Sequence, residues 1–292
     1  MIDIGANLAD ASFDPDRPAV LERAWAAGIE HIVLTGSSQP SNRRVQEIRD
    51  QAPEHLSATA GLHPHYASQW TDALAGEIRA YAAANKLVAV GECGLDYFRD
   101  LSDRTDQRRA FIAQLEIAAD TGLPVFLHQR EAHADFVAIV REFRDQLTDC
   151  VVHCFTDTAQ ALDDYLTLDC HIGITGWICD ERRGTHLLDC VGRIPTQRLM
   201  VETDAPYLLP RTLRPRPKSR RNEPMHLPRV IDTLAAAVGL SEESLAEATT
   251  RTARQFFRLP SAADQRIERS RKPTSEATTS VGRKAVNAGD KP

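Results

Sequence analysis

The sequence predicts an α/β protein built as a single (β/α)8 TIM-type barrel. Short β-branched or apolar runs alternate with longer amphipathic stretches, which implies parallel strands joined by right-handed helical crossovers. Eight such units fit within about 260 residues, the size of a closed barrel of this kind. Polar, chemistry-bearing residues recur where the runs end, and barrel enzymes keep their sites at the C-terminal strand ends. An open doubly wound sheet is the competing architecture, but no GxGxxG segment follows an early strand.

The strands are read at residues 2–4, 31–35, 57–62, 87–91, 125–128, 151–154, 171–174 and 199–202. Between them the helical pattern is clearest over 106–121. There Ala110, Phe111, Leu115 and Ala118 share one face, and Gly122 follows as a stop. The barrel is expected to occupy residues 1–260. Residues 261–292 are rich in Arg, Ser, Thr and Lys and poor in large apolar side chains. They cannot bury enough surface to fold alone and are expected to form a disordered basic and polar tail.

The composition, 42% hydrophobic and 26% charged, is that of an ordinary globular chain. The formal net charge of -6 gives no bulk attraction to a polyanion, so any nucleic-acid binding needs a local basic patch. No apolar run approaches the roughly 20 residues of a membrane span. The first residues read as a strand, not as an export signal. The six cysteines, Cys93, Cys150, Cys154, Cys170, Cys179 and Cys190, form no CxxC pair. Together these features predict a cytoplasmic protein with reduced, semi-buried thiols.

Five strand ends carry a candidate ligand or acid/base. The third runs into His63-Pro64-His65, and the fourth into Glu92-Cys93-Gly94-Leu95-Asp96. The fifth ends at His128, the sixth carries His153, and the eighth ends at Glu202-Thr203-Asp204. Each residue has a plainer use alone. Asp204, for example, could cap a helix before Ala205-Pro206. Repetition at one topological position favours a shared site. Glu92, His128, His153 and Asp204 form an N/O set suited to a divalent cation, Mg²⁺ before Mn²⁺ or Zn²⁺. This makes the barrel one of the metal-dependent hydrolase kind.

After the last strand lies a loop, 210–221, with six cations: Arg211, Arg214, Arg216, Lys218, Arg220 and Arg221. It holds three prolines and no acid. Arg182 and Arg183 follow the seventh strand. Such a rim suits a phosphate polyanion, although a solvated surface loop would read the same way.

The segments GECGLDYFRD, VFLHQR, VVHCFT, HIGITGWICDERRG, VETDAPYLLPR and SRRNEP resemble the TatD-type metal-dependent deoxyribonucleases. The resemblance runs from Ile2 to about Leu259. It implies a 3′-to-5′ exonuclease on single-stranded DNA and RNA, acting in DNA repair or degradation and probing no membrane. A monomer is expected. Glu92, His128, His153 and Asp204 carry over as metal-site residues, and His63 and His65 as active-site histidines. In mechanism Asp204 would be the general base. Arg182, Arg183, Arg211, Lys218, Arg220 and Arg221 would contact the strand, and Trp177 or Tyr207 would stack a base. One departure stands out. Most of the wider family begins with an Asp-x-His-x-His strand, whereas here Gly5 and Asn7 replace both histidines. This implies one firmly held ion, with a second completed by substrate phosphate. Two other functions are compatible with the residues. One is an esterase or amidase on the same barrel, such as a D-aminoacyl-tRNA deacylase. The other is a nucleic-acid-binding barrel without activity.

Overall fold

The computed structural model describes residues 1–260. Eight parallel strands follow one another in sequence order. They are β1 (Ile2–Ala6), β2 (His31–Leu34), β3 (Leu56–Ala60), β4 (Ala89–Asp96), β5 (Val125–Arg130), β6 (Cys150–Val152), β7 (His171–Ile174) and β8 (Leu199–Val201). Between them lie α1 (Arg17–Ala26), α2 (Gln39–Arg49), α3 (Asp72–Ala83), α4 (Arg104–Thr121), α5 (His133–Phe143), α6 (Ala159–Thr167) and the short α7 (Thr185–Leu188). After β8 come α8 (Leu227–Val238) and α9 (Glu242–Phe256). This is the (β/α)8 barrel expected from the sequence. The stretch 261–292, expected to be a tail, lies outside the described residues.

The helices begin and end where local chemistry stops them. Thr71, Asp103, Thr158 and Ser241 each accept a backbone N–H at the first turn of α3, α4, α6 and α9, which satisfies otherwise unpaired donors. Gly122 ends α4 in the left-handed conformation.

Two apolar layers result. The outer one lies between strands and helices and includes Leu34, Val45, Leu115, Leu127, Phe136 and Tyr165. The inner one joins Ile2, Ile4, Val33, Phe126, Val151 and Met200 in the lumen to Ala253, Phe256, Phe257 and Leu259 at and just beyond the end of α9. Phe256 also meets His171 at the start of β7, ring centroids 5.0 Å apart. The end of α9 therefore floors the N-terminal mouth. Each buried phenylalanine contributes about 1.5–3 kcal/mol, and the C-terminal mouth is left for chemistry.

Two strands depart from regular pairing near that mouth. Between Asp3 and Ala6, β1 carries one residue more than β2, and between Gly91 and Cys93, β4 carries one more than β5. Such bulges re-aim side chains, and the extra residue in β4 is Glu92. The sequence placed the end of this strand at residue 91, but it runs on to Asp96. Its two glycines serve close approach. A Cβ at Gly91 or Gly94 would collide with the carbonyl oxygens of Phe126 or His128 on β5. Both positions have positive φ, 134° and 146°, which other residues rarely adopt.

Asp3 closes the ring between β1 and β8. Its wholly buried carboxylate accepts the Thr203 N–H at 2.9 Å, the Thr203 hydroxyl at 2.5 Å and the Gly5 N–H at 3.3 Å. Backbone bonds from Asp204 to Gly5 and from Asn7 to Ala205 add to the seam. Asp3→Ala leaves those donors buried without an acceptor and should cost about 2–4 kcal/mol. Urea unfolding measures this, and a loss below roughly 0.5 kcal/mol, the scatter of ordinary surface changes, would rule out the stapling role.

Candidate metal centre

Glu92, His128 and His153 meet at the C-terminal mouth, as the sequence predicted. Glu92 Oε1 lies 2.8 Å from His153 Nε2 and 3.0 Å from His128 Nδ1, and the two nitrogens are 3.4 Å apart. An ion with bonds of ~2.1 Å separates adjacent ligand atoms by roughly 3.0–3.4 Å. The triangle therefore fits a divalent cation almost as it stands.

His63 competes for the same place. Its Nε2 is 3.4 Å from Glu92 Oε1, and His63, Glu92 and His128 also lie close enough to share an ion. The hydrogen-bond pattern decides between the two sets. His63 Nδ1 accepts the His65 N–H at 3.1 Å, so Nε2 carries the proton of the neutral ring. Burial pushes this imidazole down to about 4, which keeps it neutral. A protonated nitrogen donates and cannot ligate, so His63 faces Glu92 as a hydrogen-bond donor.

His128 and His153 are arranged the opposite way. His128 Nε2 faces Asp96 Oδ2 at 3.4 Å, and His153 Nδ1 faces Glu202 Oε2 at 3.4 Å. A carboxylate behind an imidazole sets the N–H on the far side and turns the free lone pair toward the ion. Asp96 also accepts from His65 Nε2 and from the Arg99 N–H, both at 2.8 Å. Burial raises its carboxyl, but the bonds from His128, His65 and Arg99 prevail and hold it far below the usual range. Asp96 and Glu202 were not singled out from the sequence. A signal existed: Asp96 is four residues from Glu92 on one strand, and Glu202 two from Asp204, so each pair shares a face.

Glu202 fills the space beside Gly5. It is wholly buried, accepts the Cys154 N–H at 2.5 Å and leaves Oε2 without a hydrogen bond. A Cβ on Gly5 or Gly173 would run into its carboxylate oxygens. Gly5 thus vacates the space Glu202 fills. Asn7 Nδ2 donates to Asp204 Oδ1 at 2.8 Å.

Asp204 stands beside the triangle. Among the described residues it has no hydrogen bond or ion pair to Glu92, His128 or His153. Burial, helped by Glu92 and Glu202, pushes its carboxyl up to about 7 against His153 and Asn7. That value suits a proton acceptor near neutral pH.

The basic rim is less charged than its sequence. Arg182 and Arg183 pair with Asp180, and Arg211 with Glu181. Arg221, expected to contact a nucleic-acid strand, is tied at 2.8 Å to both Asp16 and Glu223. It fastens the end of the loop to the start of α1. Among the described residues Arg214, Arg216, Lys218 and Arg220 have no carboxylate partner. A cavity of about 640 Å³ between this loop and the segment after β7 is lined by Trp177, Arg182, Arg183, Arg214, Arg216 and Arg220. Tyr207 is 55% exposed. The six cysteines are free thiols, with Cys154 the least buried, and no described helix is long and apolar enough to cross a membrane.

A parallel barrel with an N/O donor triangle at its strand ends, each imidazole backed by a carboxylate, defines a metal-dependent hydrolase. The chain belongs to the TatD-related DNase family, which matches residues 2–258. It is 47% identical over 259 residues to the 3′-5′ ssDNA/RNA exonuclease TatD of Pectobacterium carotovorum, covering 89% of this chain and 100% of that one. Against the same-named protein of Musicola paradisiaca it is 48% identical over 259 residues, covering 89% and 98%. Among solved structures it resembles a TatD homologue from Escherichia coli K12, with a TM-score of 0.81, 27% identity and coverage of 89% and 98%. A TatD-family hydrolase from Entamoeba histolytica gives a TM-score of 0.80, 26% identity and coverage of 88% and 97%.

Glu202→Gln keeps the shape but removes the charge behind His153. Mn²⁺ affinity, measured by titration calorimetry, should fall about 10- to 100-fold. An unchanged dissociation constant would mean that Glu202 does not orient the ligand.

Proposed function

We propose that this protein is a divalent-metal-dependent phosphodiesterase that removes nucleotides from the 3′ end of single-stranded DNA and RNA. The observation that carries the proposal is the donor triangle of Glu92, His128 and His153, set beside a rim with unneutralised guanidinium groups. The names of the relatives support the substrate and the polarity.

Mg²⁺ is the ion assigned, because a lean site completed by substrate phosphate suits its reluctance to dehydrate. When bound, it supplies a Lewis acid that polarises a phosphate oxygen. Asp204, oriented by Asn7, accepts the proton of the attacking water. His63 donates its Nε2–H to an oxygen of the phosphate or leaving group once substrate enters. His65, held by Asp96, stands next to it, their ring centroids 4.1 Å apart. Arg182, Arg183, Arg211, Lys218 and Arg220 face the phosphates of the strand, with Arg220 and Lys218 contributing most because no carboxylate neutralises them. The protein is assigned as a cytoplasmic monomer acting in DNA repair or degradation. An esterase or amidase on a small neutral substrate is the weaker reading, since free cations on the rim offer it nothing; a D-aminoacyl-tRNA would suit the same rim, and against it stand the names of the relatives.

The test uses single strands labelled at the 5′ end, with Mg²⁺. The wild type should shorten them stepwise, and EDTA should stop it. Asp204→Asn should lower turnover about 10²- to 10⁴-fold with binding of the strand near normal. Substantial residual turnover would remove Asp204 as the base, and failure of the wild type to shorten any strand would remove the proposal itself.

A further inference from the structure

Four side chains from three strand-end loops form an alternating file at the mouth of the barrel. The Arg130 guanidinium carbon lies 4.2 Å from the Phe98 ring centroid and 5.7 Å from that of Trp177. The Arg183 guanidinium lies 4.4 Å from Trp177 on the same file. Phe98 follows Asp96 by two residues, and Arg130 follows His128 by two. His128 and Arg130 lie on β5, where that is a step of about 7 Å, and Phe98 sits in the turn just after β4, so the file begins one nucleotide's reach from the metal centre. Its far end, Trp177 and Arg183, lines the arginine-rich cavity.

Two details separate this file from ordinary surface packing. Arg130 has no carboxylate partner among the described residues, while Arg104 nearby pairs with Asp100, and Arg182, Arg183 and Arg211 pair with Asp180 or Glu181. Phe98 is 49% exposed. A large apolar ring is thus left half in water beside an unneutralised guanidinium. It does match a nucleotide, which offers a π-face and a phosphate. The guanidinium braced against the ring holds it in place and so limits the ordering cost of a stacking surface.

We propose that Phe98 and Arg130 form a stacking subsite for the base adjacent to the scissile phosphodiester, and that the strand continues past Trp177 into the cavity lined by Arg214, Arg216 and Arg220. This rests on the phosphodiesterase reading and adds a direction to it: the strand leaves the metal centre along the ends of β5 and β7. A duplex could not use the subsite, because its bases are stacked on each other. Preference for single strands thus follows from the rim, not from the metal site.

Binding of a labelled dodecathymidylate to the full chain, followed by anisotropy in EDTA, tests the subsite without turnover. Phe98→Ala and Arg130→Gln should each weaken it about 10-fold or more. An abasic dodecamer should bind wild type and Phe98→Ala alike. Equal binding of dodecathymidylate by wild type and both variants would overturn the proposal, as would an equal loss on the abasic strand. Thermal unfolding of each variant checks that it folds, and Phe98, being exposed, should tolerate the change. Hydrolysis of bis(p-nitrophenyl) phosphate by the wild type with Mg²⁺ reads the parent proposal separately. No hydrolysis combined with weakened variant binding would sink the phosphodiesterase and leave the subsite. Hydrolysis combined with unchanged variant binding would do the reverse.

Discussion

A carboxylate buried at the mouth of the barrel, Glu92, is the group on which the rest of the site depends. An unpaired charge in such a place costs several kcal/mol. Three imidazoles converge on one of its oxygens, within 2.8 to 3.4 Å. Burial would raise its carboxyl, but His153 and His63 hold it well below the ordinary value. Burial would likewise lower His153, but Glu92 and Glu202 drive it well above its ordinary value, and His128 is raised in the same way by Asp96 and Glu92. The buried charge of Glu92 is thus answered by the imidazoles around it and by the carboxylates behind them.

The scaffold exists in this form because it must present that carboxylate. The bulge in β4 turns Glu92 inward, and the glycines on either side let β5 approach closely enough for His128 to reach it. The floor built by Phe256, Phe257 and Leu259 closes the other mouth. Asp3 closes the seam between β1 and β8, and so fixes Thr203, between Glu202 and Asp204. Glu202 then stands behind His153 and Asp204 beside the triangle. Fold and site share these residues, so a change at the seam reaches the metal centre through two or three contacts.

Much of this was legible in the sequence, for a physical reason. Alternating apolar runs report strands and helices locally, and a barrel brings all C-terminal strand ends to one face. Glu92, His128 and His153 could therefore be grouped without knowing any distance. What was not legible depends on long-range pairing. The spacing of Arg221 in a loop free of acids suggests an unneutralised cation, but its partner Asp16 is 205 positions away. Asp96 was not paired with His128 because the strand was read as ending at residue 91, when the bare Gly91 and Gly94 allow it to continue to Asp96. Glu202 reads as the last residue of a strand. Only the packing shows that Gly5 and Gly173 are bare around it.

The most direct measurement is the anomalous difference density of crystals soaked in Mn²⁺ without substrate. One strong peak is expected at ~2.1 Å from Glu92 Oε1, His128 Nδ1 and His153 Nε2, with His63 and Asp204 outside its coordination sphere. A peak bonded to His63 instead of His153, or two peaks of equal height before any phosphate is added, would contradict the arrangement described above.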